Sequence, residues 1–158
     1  MRVIFERVEP LCIGAVTFYT AKLGTNTETE FGSFTENDFP DHVREIQILY
    51  QVISRMHNRG AKLYYFKNEK NAEALPIVTS NVMKANKKDF GIRLYCIFLN
   101  ESEVILLNGG IKTKKKPQDC PNVKDHFRIA NKIAVALYSH LADPDKRKDC
   151  LTDNVLSI

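Results

Sequence analysis

No apolar run in this chain approaches the roughly 20 residues that a membrane-spanning helix needs. At 158 residues it is long enough for one domain with a sizeable core. Its four cysteines, Cys12, Cys96, Cys120 and Cys150, are nowhere spaced as Cys-x-x-Cys, which argues against a zinc site. Cys12 and Cys96 lie in strand-like apolar runs and read as small core residues, and all four are expected as free thiols. In the N-terminal MRVIFERVEP, Glu6 and Glu9 interrupt any signal-peptide apolar region, so a cytoplasmic protein is expected. There is no Walker motif, no GxGxxG, no HExxH and no GxSxG, and Asp89-Phe90-Gly91 stands without the rest of the kinase signature. No organic cofactor and no metal are expected, and the chain has no internal repeats.

What the chain does have is an uneven charge. Between Thr25 and Glu45 six acids face one base, Arg44, whereas between Lys84 and Lys132 eleven bases face five acids. The net charge of +4 hides this asymmetry. Its sharpest feature is Gly109-Gly110-Ile111-Lys112-Thr113-Lys114-Lys115-Lys116, a lysine cluster between a strand and a helix. Such a cluster suits a polyanion, of which nucleic acid is the commonest.

Periodicity orders the rest. Val3 to Phe5 and Cys12 to Tyr19 read as an N-terminal hairpin turning near Val8-Glu9-Pro10. Gly24 to Asn37 is polar and reads as a loop. Phe39 to Asn58 reads as a helix capped by Asp38, with Val43, Ile46, Leu49, Tyr50, Ile53 and Met56 as its buried face and Gly60 as its stop. Ala61 to Phe66 fits a strand or a helix extension, Lys67 to Ala74 a polar turn, Leu75 to Met83 a strand and Lys84 to Asp89 a charged turn. Gly91 to Leu99 and Glu103 to Leu107 are the clearest strands. Ile92, Leu94, Cys96 and Phe98 share one face of the first, and Arg93, Tyr95, Ile97 and Leu99 the other. The Arg93-Tyr95 end of that second face is expected to reach a groove. A last helix opens at Pro121-Asn122, with Asn122 and Asp125 as a capping pair and Val123, Phe127, Ala130, Ala134, Leu137 and Leu141 as an apolar stripe. The expected architecture is a single α+β domain over residues 1–144, an antiparallel sheet packed on two main helices with an N-terminal hairpin extension. Residues 25–37 form its polar loop, and residues 145–158 a flexible tail or docking strap.

Several of these segments carry a family likeness. Ile48 to Lys62 (ILYQVISRMHNRGAK) looks like a family helix ending at a glycine. Gly91 to Leu99 looks like a strand holding an arginine near an aromatic. Leu106-Leu107-Asn108-Gly109-Gly110-Ile111-Lys112 looks like a Leu-Leu-His-Gly-Phe-x-Lys-Lys strand end, and Pro121 to Ile133 like the proline-opened helix after it. Across roughly Ile48 to Leu141 the chain thus resembles the RelE/HigB-like toxins of bacterial toxin–antitoxin pairs. It departs from the pattern at Asn108, Gly110 and Thr113, where the family has His, Phe and a second Lys, and in a short insertion before Pro121.

The resemblance implies a RelE-like toxin fold and a metal-independent endoribonuclease that cuts mRNA, possibly on the ribosome, silenced by a cognate antitoxin. Such a reaction passes through a phosphorane and needs positive groups around it and a proton carrier. The catalytic candidates are Arg93 as the bidentate phosphate clamp, Lys112 as a second cation and His126 as the proton carrier. Arg93 has an alternative partner in Glu103 across the hairpin. Lys114, Lys115 and Lys116 would follow the RNA backbone and Tyr95 would stack on a base. Two other readings stand beside this one: a non-catalytic nucleic-acid- or protein-binding module on the same scaffold, and a toxin-fold inhibitor of a topoisomerase.

Overall fold

The computed structural model describes residues 1–9, 11, 13–75, 90–140, 151–152 and 155–158. The turn expected over Lys84 to Asp89, all of the Leu75 to Met83 strand except Leu75, and the side chains of Cys12, Leu141 and Cys150 lie outside them.

Alternation builds the N-terminus. In β1 (Arg2–Arg7) Val3 and Phe5 are buried between half-exposed or exposed neighbours. It pairs antiparallel with β2 (Thr17–Leu23) from Val3 opposite Leu23 to Arg7 opposite Tyr19. The segment expected as a loop contains a short helix, α1 (Glu30–Glu36). Thr29 caps it by accepting the Gly32 N–H at 3.0 Å, and Phe31 and Phe34 anchor it in the core. The Phe31 N–H also donates to Thr20 Oγ1 at 3.0 Å, which ties α1 to β2.

A 3-10 turn (Pro40–His42) leads into α2 (Val43–Arg59). Asp38 does not serve as the expected cap; neither N-terminal junction here has a side-chain cap bond. The buried face of α2 is narrower than the apolar pattern, because Leu49, Ile53 and Met56 are buried while Val43 and Tyr50 are exposed. Gly60 ends the helix at φ 94°, a conformation glycine adopts without strain, and its N–H caps the Met56 carbonyl. The 61–66 stretch is a 3-10 turn (Leu63–Tyr65). The expected polar turn over Lys67 to Ala74 is a tight hairpin, β3 (Lys67–Glu69) and β4 (Ala72–Leu75).

The long hairpin of β5 (Gly91–Asn100) and β6 (Glu103–Lys112) is the centre of the sheet. β6 runs through Asn108, Gly109 and Gly110 to Lys112, five residues beyond the expected end. A 3-10 turn (Pro117–Asp119) then precedes α3 (Lys124–His140). After a helical turn at 151–152, β7 (Val155–Ser157) pairs antiparallel with β1. The end of the expected flexible tail therefore belongs to the sheet.

The sheet has seven strands in the order β3-β4-β5-β6-β2-β1-β7. It is mixed rather than antiparallel, because β2 runs parallel to β6 with Thr17, Phe18 and Tyr19 opposite Glu103, Val104 and Ile105. The N-terminal hairpin is thus an internal part of the sheet, between β6 and β7. Nor do the helices share one side. Phe18, Leu94, Cys96, Val104 and Leu106 pack with Phe34, Leu49, Ile53 and Met56 of α1 and α2 on one face. Tyr95, Ile97, Ile105 and Leu107 pack with Val123 and with Phe127, Ala130, Ala134 and Leu137 of α3 on the other. The result is an α+β fold with a mixed sheet between helical layers, and its central strands are buried on both faces.

Candidate nucleic-acid interface

The lysine cluster sits where β6 hands the chain to α3. Its base is fixed by Cys120. The Thr113 N–H donates to Cys120 Sγ at 3.3 Å, and the thiol reaches the Ile111 carbonyl at 3.8 Å. Asn122 is not a helix cap here; its Nδ2 donates to the same Ile111 carbonyl at 3.2 Å and joins the start of α3 to the end of β6. Pro117 is buried in the intervening turn. Lys114, Lys115 and Lys116 are exposed on this pinned base, as the sequence suggested.

Gly110 allows the close approach. A Cβ there would crowd the Asn122 carbonyl at 2.9 Å, so a bulky side chain is excluded. Position 110 is thus confined to glycine because the start of α3 lies tightly across the strand.

That same approach covers the expected catalytic groups. Arg93 and Lys112 are 2% and 1% exposed. Arg93 lies opposite Gly110, and its Nη1 donates to the Ile92 carbonyl at 2.9 Å. Glu103, its expected alternative partner, lies opposite Asn100 at the far end of the hairpin and accepts from Asn100 Nδ2. Tyr95 is fully buried, edge-on to Phe127 at 6.0 Å, with its hydroxyl unpartnered. Burial pushes its pKa up. It is a core tyrosine under α3 and has no face to offer a base. Arg93, Lys112 and Tyr95 do come together on one face of the sheet, but inside the protein. His126 is half-buried in the first turns of α3, and burial lowers its pKa against the opposing pull of Asp125.

The exposed chemistry lies instead along α3. Lys124, Arg128 and Lys132 recur every fourth residue and form a basic line opposite the buried stripe. Asp125 pairs with Arg128 at 3.0 Å, but both side chains are more than half exposed and the pair holds little energy. Lys70 joins this line from the β3–β4 turn, where it sits at φ 80°. The buried Asn131 places it there. Its Oδ1 accepts the Asn71 and Ala72 N–H groups at 2.7 and 3.3 Å, and its Nδ2 donates to the Phe127 carbonyl. Between them runs a groove of about 810 Å³ with Phe127, Val135, Ala136 and Ile158 as apolar lining and these four cations around it. Gln118, two residues beyond the lysine loop, also lines it. The spacing of Lys124, Arg128 and Lys132 is legible in the sequence, whereas the contribution of Lys70 depends on Asn131 and on long-range folding.

Cys120 is a further residue that the sequence did not single out. Burial pushes its thiol up, but donation from the Thr113 hydroxyl and from the Thr113, Asn122 and Lys114 N–H groups outweighs it, and the net shift is downward. Cys96, buried in the other core near Glu73, shifts upward. Thiolate absorbance followed against pH should therefore show a component below the ordinary thiol value that disappears in Cys120→Ser. An unchanged titration in that variant would contradict the donor cluster.

Among the described residues no group of His, Cys, Asp and Glu is placed to hold a metal ion, and no helix is long and apolar enough to cross a membrane. No family model, no curated protein and no solved structure matches the chain.

Proposed function

We propose that this protein binds single-stranded RNA along the lysine loop and the exposed face of α3, as a non-catalytic module. The observation behind this reading is the run of exposed cations, Lys114, Lys115, Lys116, Lys124, Arg128, Lys132 and Lys70, over a partly apolar groove. Cations spaced along a helix suit phosphates, and an apolar floor suits unpaired bases, which duplexes keep stacked inside. The resemblance to RelE/HigB-like toxins adds a target and a partner: mRNA, and an antitoxin whose acidic or apolar segment covers this face.

A second reading, the metal-independent endoribonuclease, has one observation in its favour. His126 stands in the first turns of α3, close in sequence to the lysine loop, and its lowered pKa keeps the imidazole neutral and able to accept a proton near neutral pH. With Arg93 and Lys112 enclosed, their charge would reach a scissile phosphate only from a distance.

One experiment separates the readings. A labelled, unstructured RNA is incubated with the protein, and both fluorescence anisotropy and strand integrity are followed. The binding reading expects salt-dependent association with the RNA left intact. Defined cuts that are lost in His126→Ala, with binding retained, would establish the nuclease instead. Absence of association at low salt would sink both.

A further inference from the structure

The other side of the molecule carries a second polar cleft, of about 600 Å³, between the last turns of α2 and the 3-10 turn that follows. Its lining is Arg55 and Arg59, Gln51, Ser54 and Asn58, with Tyr64 and Tyr65, and contains no carboxylate. We propose that this cleft binds a nucleoside phosphate, with the base stacked on Tyr64 and the phosphate held by Arg55 and Arg59.

The cleft is built rather than incidental. Gln51, Ser54, Arg55, Asn58 and Arg59 share the solvent face of α2, opposite the buried Leu49, Ile53 and Met56. The reversal at Gly60 brings the next turn back against them. That turn is held at several points. The Ala61 N–H donates to the Glu101 carbonyl at 2.8 Å, and Lys62 pairs with the Glu101 carboxylate at 2.8 Å. The Tyr65 and Phe66 N–H groups close onto the Lys62 and Leu63 carbonyls. Phe66 is buried and packs on Phe98 at 5.2 Å. Tyr64 is left 67% exposed with its ring 4.7 Å from that of Tyr65.

The chemistry matches the two halves of a nucleotide. An exposed ring fixed by a neighbour gives a π-face for a base with little ordering left to do. Two arginines one helical turn apart, neither in an ion pair among the described residues, offer planar forks to phosphate oxygens. The amides of Gln51 and Asn58 and the Ser54 hydroxyl can meet base edges or ribose. The cleft volume lies in the range of small-molecule sites.

The test is calorimetric titration of the full chain with AMP, ribose 5-phosphate and adenosine. It is done in a Lys114→Gln/Lys115→Gln/Lys116→Gln background, so that the lysine loop does not contribute. AMP is expected to bind more tightly than either fragment. Tyr64→Ala should weaken AMP about tenfold and leave ribose 5-phosphate unchanged. Arg55→Gln/Arg59→Gln should weaken both phosphates. All three positions are exposed or half-exposed, and circular dichroism verifies that the variants fold. A 5′-phosphorylated oligoadenylate that binds more tightly than AMP would assign the site to an RNA end, and a weaker one to a free nucleotide; either result supports it. Equal affinities for AMP and ribose 5-phosphate, or AMP binding indifferent to these substitutions, would overturn it. Loss of RNA binding on the α3 face alone would leave it standing.

Discussion

Replacing Lys114, Lys115 and Lys116 by glutamine is expected to cut RNA affinity by about a hundredfold at roughly 0.1 M salt. Each cation that touches a phosphate releases counterions, and for single strands it contributes about 0.7 to the slope of log affinity against log salt. At roughly 0.1 M salt that is about fivefold per contact. Extending the change to Lys124, Arg128 and Lys132 should bring the loss to about 10⁴-fold if all six touch phosphates, with a correspondingly flatter salt dependence. Folding should be nearly untouched, since exposed side chains away from caps and buried networks cost within about 0.5 kcal/mol. The paired readout matters. A uniform loss across RNA sequences with a flatter slope marks phosphate contacts, whereas an unchanged slope would place the RNA elsewhere.

Gly109→Ala is the expected largest effect on stability. A Cβ at Gly109 would overlap the carbonyl of Arg93 on the partner strand, and backbone in the central hairpin has nowhere to go. The cost should be about 3 kcal/mol or more, at the upper end for overpacking a core. Gly24→Ala is the control. It also changes a constrained glycine, at φ 61°, but a Cβ there meets nothing within 4 Å. Its cost should be only the left-handed backbone penalty of about 1 kcal/mol. Denaturant midpoints for the two variants decide the matter, and a Gly109→Ala midpoint no lower than that of Gly24→Ala would contradict the tight β5–β6 pairing.

The elements that could be read from sequence are those whose signal is long and local. α2, α3 and β5 carry long apolar patterns and begin within four positions of their expected starts, whereas the pattern of β6 covers only Val104 to Leu107 and the strand runs on to Lys112. The two glycines there hid a strand that continues because α3 and the opposite strand need the space, not because glycine favours strands. α1 was missed because only Phe31 and Phe34 mark its buried side within a polar segment. β3 and β4 were missed because strands of three and four residues have no period to detect. The parallel pairing of β2 with β6 joins residues about 85 apart in sequence and has no local signature.

The candidate site divides in the same way. Exposure of Lys114 to Lys116 followed from charge density alone. Alternation correctly put Arg93 and Tyr95 on one face of β5, but alternation cannot say what covers a face, and α3 covers this one. The line of Lys124, Arg128 and Lys132 was available at the same helical period as the apolar stripe. A basic face on a surface helix is ordinary, however, and it gained weight only once the fold set Lys70 and the groove beside it.

The most direct measurement is a titration of isotopically labelled protein with a short single-stranded RNA, followed residue by residue by NMR. Shifts concentrated at residues 113–118, at Lys124, Arg128 and Lys132, and at Lys70 and Asn71 are the expected result. Shifts confined to other surfaces, or none at RNA concentrations that saturate anisotropy, would contradict an RNA-binding face on α3.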